Sequence, residues 1–285
     1  MSAPRVLIVD GNVAAIRARQ AAALGYDSGE GYARVLGRLS PGLACDVVRA
    51  ADAGTELPPG VALGDYDGAT ITGSALNIYA GGPAVTRQVE LAAALFAAGV
   101  PLFGSCWGLQ VAVTAAGGCV RANPRGREFG FARRIVLTEA GRAHRMYAGK
   151  PAVFEAPTVH LDDIEALPTG ALTLAGNDMG LQAAAFACGR GSFWGVQYHP
   201  EYGYLDIAAA AQRYGETLIK EQLFSDADGL AAFVADLRRL AAQPSDAPLL
   251  WKHGLGAAVA SEPLRLAEIR NWLEAEVVPR RARRG

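Results

Sequence analysis

Pro101-Leu-Phe-Gly-Ser-Cys-Trp-Gly-Leu-Gln110 sets one cysteine between two glycines at the end of a short apolar run. An apolar run that meets Gly104 and gives way to a helix-forming segment reads as strand, sharp turn and helix. The flanking glycines permit the tight backbone, so Cys106 projects from the top of a sheet as the helix begins. A thiol placed there is a candidate nucleophile, and the helix N-terminus is expected to lower its pKa. The competing reading is a buried cysteine that acts as a small hydrophobe in an α/β core.

Outward from this turn, the chain alternates between two textures. Apolar runs over residues 5–10, 46–50, 69–72 and 100–103 are separated by helix-period segments over 13–24, 32–39 and 85–98. A further helix follows Cys106 to about residue 116 and stops at Gly117-Gly118. That alternation predicts an α/β fold with an open, mostly parallel sheet flanked by helices. Shorter strands then follow over 131–138, 152–159, 172–175, 182–188 and 193–198, which predicts an antiparallel half-sheet attached to the parallel one. Beyond residue 206 the chain reads as helical. One helix is expected over 207–223 and a second, capped within Ser225-Asp-Ala-Asp228, to about residue 242. Residues 243–248 read as a loop, and Ser261 opens a last helix with Leu266, Ile269, Trp272, Leu273 and Val277 along one face. The expected organisation is a catalytic domain over residues 1–205 and a helical C-terminal extension over 206–285.

Composition narrows the classes. The chain has 285 residues, 51% hydrophobic and 19% charged, with a formal net charge of −1. It is long enough for a substantial core and gives no electrostatic reason to expect nucleic acid or an acidic membrane surface. The arginine-rich end, residues 280–284, reads as a solvated, frayed terminus rather than a nucleic-acid patch. Cys45, Cys106, Cys119 and Cys188 are scattered without Cys-x-x-Cys spacing, which points to neither a zinc site nor a disulfide framework. The most apolar stretch, residues 91–104, is too short for a membrane span and is broken by Gly99 and Pro101. With no signal-peptide pattern at the start, a cytoplasmic protein without membrane, metal or cofactor is expected.

A second motif gives Cys106 its chemistry. Gly195-Val-Gln-Tyr-His-Pro-Glu201 places His199 and Glu201 two residues apart around a stiff proline. In an extended segment both side chains point to one side, so the carboxylate reaches one imidazole nitrogen and leaves the other to face the thiol. Alone, such a pair would be an ordinary surface ion pair. Joined to a glycine-flanked cysteine on a strand-to-helix turn, it forms a candidate triad of Cys106, His199 and Glu201.

Gly104-Ser-Cys-Trp-Gly-Leu-Gln110 resembles the Gly-x-Cys-x-Gly-x-Gln signature of class I glutamine amidotransferases, and Gln197-Tyr-His-Pro-Glu201 looks like their second signature. The resemblance covers residues 5–204 and is nearest to the glutaminase domain of GMP synthase and its freestanding relatives. Thr72-Gly-Ser74, Arg127-Glu-Phe-Gly130 and Val159-His-Leu-Asp162 resemble three supporting segments of that group. The resemblance implies a flavodoxin-like amidotransferase fold and attack by Cys106 on the side-chain amide of glutamine. It further implies that backbone amides of Trp107, Gly73 and Ser74 hold the oxyanion, and that Gln110 helps to hold the substrate. His160, Leu161 and Asp162 would meet its amino-acid end through their backbone. Leu161 stands where relatives usually carry glycine, and Ser74 where many carry a second one.

Two enzymatic functions share this machinery. A glutamine amidotransferase subunit would release ammonia to a synthetase on another chain, since no Gly-x-x-x-x-Gly-Lys-[Ser/Thr] loop occurs in this one. A freestanding γ-glutamyl peptidase or amide hydrolase would use the same triad with a different pocket. An intact triad argues against a third, non-enzymatic role as a scaffold.

Overall fold

Strand β1 (Arg5–Val9) shows how the core is divided. Its side chains alternate, with Val6 and Ile8 in one apolar cluster and Leu7 and Val9 in another. The sheet therefore carries a core on each face. The computed structural model describes residues 3–284.

After β1 come α1 (Ala14–Leu24), α2 (Ser28–Leu39), β2 (Ala44–Val48), β3 (Gly68–Ile71), α3 (Pro83–Ala97), β4 (Leu102–Ser105) and α4 (Trp107–Ala115). The second half holds β5 (Cys119–Ala122), β6 (Glu128–Leu137), α5 (Glu139–Ala143), β7 (Val153–His160), β8 (Asp162–Ala166), β9 (Leu172–Asn177), β10 (Gly180–Cys188) and β11 (Gly191–Val196). Nine strands form one sheet in the order β2-β1-β3-β4-β11-β10-β9-β6-β7, while β5 and β8 pair separately. The run from β2 to β11 is parallel, and the pairs from β11 onward to β7 are antiparallel. The architecture is the expected one: a mostly parallel sheet extended by an antiparallel half. The small β5–β8 ribbon was not foreseen, because Arg121, Asp163 and Glu165 interrupt its apolar pattern.

The helices cover the faces as their patterns dictate. Helix α2 starts earlier than the apolar stripe suggests, because Asp27 accepts from Glu30 N–H while the Glu30 carboxylate returns to Asp27 N–H. It lays Tyr32, Val35 and Leu36 on the Val6 and Ile8 face. On the opposite face lie Ala92, Leu95 and Phe96 of α3 and Leu109 and Val111 of α4.

The C-terminal part contains α6 (Tyr204–Lys220), α7 (Ala227–Ala242), α8 (Ala247–Lys252), α9 (Ala257–Ala260), α10 (Glu262–Arg265), α11 (Ala267–Trp272) and α12 (Val278–Arg284), with a π-turn over Leu273–Val277. Residues expected as a loop thus lead into α8, which Asp246 caps by accepting from Leu249 N–H. Leu266, Ile269, Trp272, Leu273 and Val277 all enter the core beside α2. Trp272 is fully buried, with its ring 5.9 Å from that of Phe103. Below it, Lys150 Nζ lies 2.7 Å from Glu268, and the Tyr198 hydroxyl donates to the same carboxylate at 2.5 Å. Glu268 thereby ties this helix to the strand end that precedes His199.

The arginine-rich end is not frayed. It forms α12, Arg280 donates to the carbonyls of Tyr66 and Gly99, and Arg284 pairs with Asp65 and Asp67. Unpaired carbonyls at the lower edge of the parallel strands explain this docking, since a guanidinium supplies several donors at once.

Trp272→Ala should lower stability by about 3–5 kcal/mol, the usual cost of removing a buried large aromatic. Urea denaturation measures it; a loss under about 1 kcal/mol would show that the C-terminal helices are not part of the core.

Candidate active site

Four loops meet at the C-terminal ends of the parallel strands, where open α/β sheets place their ligands. They carry Gly11 and Asn12 after β1, Gly73 and Ser74 after β3, Cys106 after β4, and His199 and Glu201 after β11. Strands β4 and β11 are direct parallel neighbours, with Ser105 opposite Val196. Cys106 N–H donates to the Val196 carbonyl at 2.7 Å, which fixes the backbone of Cys106 to the strand that leads to His199.

Cys106 itself has φ 52° and ψ −101°, outside the ordinary basins for a residue with a Cβ. The turn is this sharp because Gly104 and Gly108 pack backbone to backbone. A Cβ on Gly104 would stand 2.4 Å from the Gly108 carbonyl carbon, and one on Gly108 would stand 2.3 Å from the Ile71 oxygen. The Cys106 thiol is buried, and its sulfur lies 3.6 Å from the Val159 carbonyl.

His199 Nδ1 donates to Glu201 Oε1 at 2.7 Å. A carboxylate only accepts, so this bond places the ring proton on Nδ1 and leaves Nε2 as the basic nitrogen. The ring lies flat against Tyr202, with centroids 4.0 Å apart and 4° between planes. On another side Gly73 approaches so closely that a Cβ there would stand 2.5 Å from His199 Cε1. Glu201 Oε2 accepts from the Ser105 hydroxyl at 2.9 Å, and Ser105 Oγ is 3.1 Å from the Tyr32 hydroxyl. Burial and the Glu201 charge hold Tyr32 well above the ordinary phenol range, so it stays protonated. Ser105 and Tyr32 were not singled out from sequence as site residues; the signal was Ser105 itself, the neighbour of Cys106.

Burial also pushes the Cys106 thiol up, and the charges of Asp162 and Glu201 act in the same direction. The Trp107 N–H at the helix start and Gln197 oppose this without overcoming it. The lowered pKa expected from the helix N-terminus is therefore reversed, because desolvation and two nearby carboxylates outweigh the helix. Cys106 thus rests as a thiol rather than a thiolate.

The remaining expected residues divide by role. Trp107 Nε1 donates to Gln88, and the Ser74 hydroxyl donates to the Gly11 carbonyl, so both side chains brace the loops. Gln110 is buried on α4, one turn into the helix. His160, Leu161 and Asp162 cross between β7 and β8, next to the carbonyl that faces the thiol. Both nitrogens of His160 face acceptors: Nε2 lies 2.8 Å from Glu128 and Nδ1 2.9 Å from the Asp162 carbonyl. Glu128 also accepts from Asn177 and Gln182. Although burial opposes ionisation, these hydrogen bonds hold its carboxyl below the usual range. His160 is thus a brace for the segment. Arg127 forks onto Glu221.

Asp162 is buried and accepts from the Tyr79 hydroxyl at 2.9 Å. Burial pushes its carboxyl up to about 6, against the opposing effects of Tyr79, His160 and Arg127. Among the described residues, no group of three or more His, Cys, Asp or Glu side chains could hold a metal ion. No helix among them is long and apolar enough to cross a membrane.

A family model for class I glutamine amidotransferases matches residues 27–205. The chain belongs to the class I glutamine amidotransferase family. The γ-glutamyl-L-1-hydroxyisopropylamide hydrolase of a Pseudomonas species is 35% identical to it over 96% of this chain and 94% of its own length. The GMP synthase of Streptomyces coelicolor is also 35% identical, but over 46% of this chain and 23% of its own length. The chain therefore spans about a quarter of the GMP synthases it resembles. Among solved structures, a glutamine amidotransferase from Thermotoga maritima covers 96% of this chain at 18% identity with a TM-score of 0.65, a likeness of fold.

Gly73→Ala should drive a methyl into the His199 ring and lower kcat by about 100-fold, the scale expected when a catalytic group shifts by ~1 Å. Steady-state assays on a variant with unchanged thermal midpoint test this; wild-type kcat would show that the ring position is unimportant. A second prediction concerns pH. Asp162 holds its proton more tightly folded, at about 6, than unfolded, at about 4. Its stabilising contribution is complete below about pH 4 and is lost as pH rises through about 6. The Tm of Asp162→Asn relative to the parent should therefore rise between those values. A difference that is flat or falls with pH contradicts the assignment.

Proposed function

We propose that the chain is a freestanding γ-glutamyl amide hydrolase with Cys106 as nucleophile, His199 as general base and acid, and Glu201 as the group that orients and charges His199. The observation that carries this choice is similarity along essentially the whole chain, C-terminal helices included, to a hydrolase of a γ-glutamyl amide. Similarity to GMP synthases stops at less than half of the chain. That the same residues release ammonia for a synthetase on another chain is the second reading, favoured by that partial similarity.

In the proposed reaction His199 Nε2 takes the thiol proton as Cys106 sulfur attacks the γ-carbonyl carbon. The carbonyl π-electrons move onto oxygen. Backbone amides of Trp107, Gly73 and Ser74 would then hold the oxyanion, each worth about 3 kcal/mol in such sites. Collapse breaks the C–N bond, and the departing nitrogen takes the proton from His199. Water, deprotonated by the same imidazole, attacks the thioester, releases glutamate and returns the proton to sulfur. A buried thiol held protonated at rest suits this scheme, because the charge pair forms only when substrate arrives. The amino-acid end of the substrate would lie along residues 160–162, and neither metal nor cofactor has a step to perform.

The test is kcat/KM for glutamine beside a series of N-alkyl γ-glutamyl amides, with Cys106→Ala as control. The proposal expects N-alkyl amides to be turned over at least about tenfold better than glutamine, a preference of about 1.4 kcal/mol, and Cys106→Ala to be inactive. Preference for glutamine, with activity raised by a partner protein, would favour the ammonia donor. Full activity in Cys106→Ala would overturn both.

A further inference from the structure

Beside the candidate triad, and not used by it, lies a cavity of about 510 Å³ between α2, the loop after β11 and the C-terminal helices. Gly73, Glu201 and Tyr202 form its inner wall, so it abuts the ring stack on His199. Its volume is in the range that holds small molecules.

The polar groups that line it are unevenly satisfied. All three acids are committed: Glu201 to His199 and Ser105, Asp206 to the Tyr26 hydroxyl and Gly203 N–H, and Glu262 to Arg38. Of the three cations, Arg38 is paired with Glu262, whereas Arg265 and Arg34 are poorly met. Arg265 has a side chain only 11% exposed, yet Nη1 makes one 3.3 Å hydrogen bond to the Val259 carbonyl. Its Nη2 stays 3.8 Å from Glu262, and its buried Nε has no hydrogen-bond partner. The neighbouring Tyr204 hydroxyl is likewise buried without a partner. At the mouth, Arg34 lies over the Tyr26 ring at 4.6 Å and has no carboxylate partner among the described residues. A guanidinium offers five donors, and leaving them unmet in a buried setting is costly. Burial depresses the Arg265 pKa, against the opposing charges of Glu262 and Asp206.

We propose that this cavity binds a small oxyanion, a carboxylate or phosphate group, held by the Arg265 guanidinium and the Tyr204 hydroxyl with Arg34 at the entrance. A planar or tetrahedral oxyanion meets the fork of Arg265, to which Glu262 makes only a 3.8 Å contact, and accepts from the phenol. A neutral amine has one lone pair and would meet only one of these donors. The site is independent of which amide the enzyme cleaves.

Thermal unfolding and calorimetric titration of the full chain with inorganic phosphate and with malonate, against chloride at equal ionic strength, test this. Saturable binding of either probe is expected, with a Tm rise of about 3 °C at tenfold excess over Kd. Arg265→Met, which replaces a poorly satisfied buried charge by an apolar isostere, should keep the fold and weaken binding at least about tenfold. Tyr204→Phe should weaken it by a smaller factor, and the surface control Arg142→Met should leave it unchanged. Binding of phosphate alone assigns a phosphate ligand, and binding of malonate alone a carboxylate. No saturable binding of either probe, an equal effect of chloride, or affinity retained in Arg265→Met overturns the proposal.

Discussion

The backbone hydrogen bond from Cys106 N–H to the Val196 carbonyl is the link on which the site depends. It joins the end of β4 to the end of β11, so the strand that delivers the thiol and the strand that delivers His199 stop at one level. A conformation like that of Cys106 costs about 1–3 kcal/mol. The surrounding sheet tolerates it because Gly104, Gly108 and Ile71 lock the turn through backbone contacts that leave no room for a Cβ. The strain at Cys106 and the rigidity of the parallel sheet are two sides of one arrangement.

From that junction a polar chain runs inward. His199, Glu201, Ser105 and Tyr32 follow one another by hydrogen bonds, and Tyr202 and Gly73 hold the imidazole. The chain fixes the tautomer of His199 and gives Glu201 a second donor in the Ser105 hydroxyl. Next to it, Asp162 and Glu201 discourage a resting thiolate. The sulfur therefore rests protonated, which suits transfer of its proton to an imidazole in the acylation step of the proposed reaction. The C-terminal helices enter the same economy: Glu268 holds Tyr198, the residue before His199, and Trp272 seals the sheet beneath it.

Much of this was legible in sequence, for identifiable reasons. Short β-rich runs alternating with helix-period segments sufficed for the parallel sheet, and the glycines around Cys106 announced the turn. The start of α2 lay hidden behind a capping box at Asp27 and Glu30, outside its apolar stripe. The β5–β8 ribbon was masked by charged residues, and the docking of Arg280 and Arg284 depends on carbonyls more than 180 residues away in the chain. The direction of the Cys106 pKa was misread because a helix N-terminus is visible in sequence, whereas burial and the approach of Asp162 are tertiary facts. Ser105 and Tyr32 escaped notice for the same reason: their roles exist only once α2 crosses the end of β4.

The central claim is that every substrate passes through one γ-glutamyl thioester on Cys106. The direct measurement is turnover of several γ-glutamyl amides with different leaving amines in the presence of hydroxylamine. A common intermediate has forgotten its leaving group, so the ratio of γ-glutamyl hydroxamate to glutamate should be the same for every substrate at a given hydroxylamine concentration. A ratio that changes with the leaving amine, or hydrolysis that proceeds with no hydroxamate at any concentration, would contradict the account.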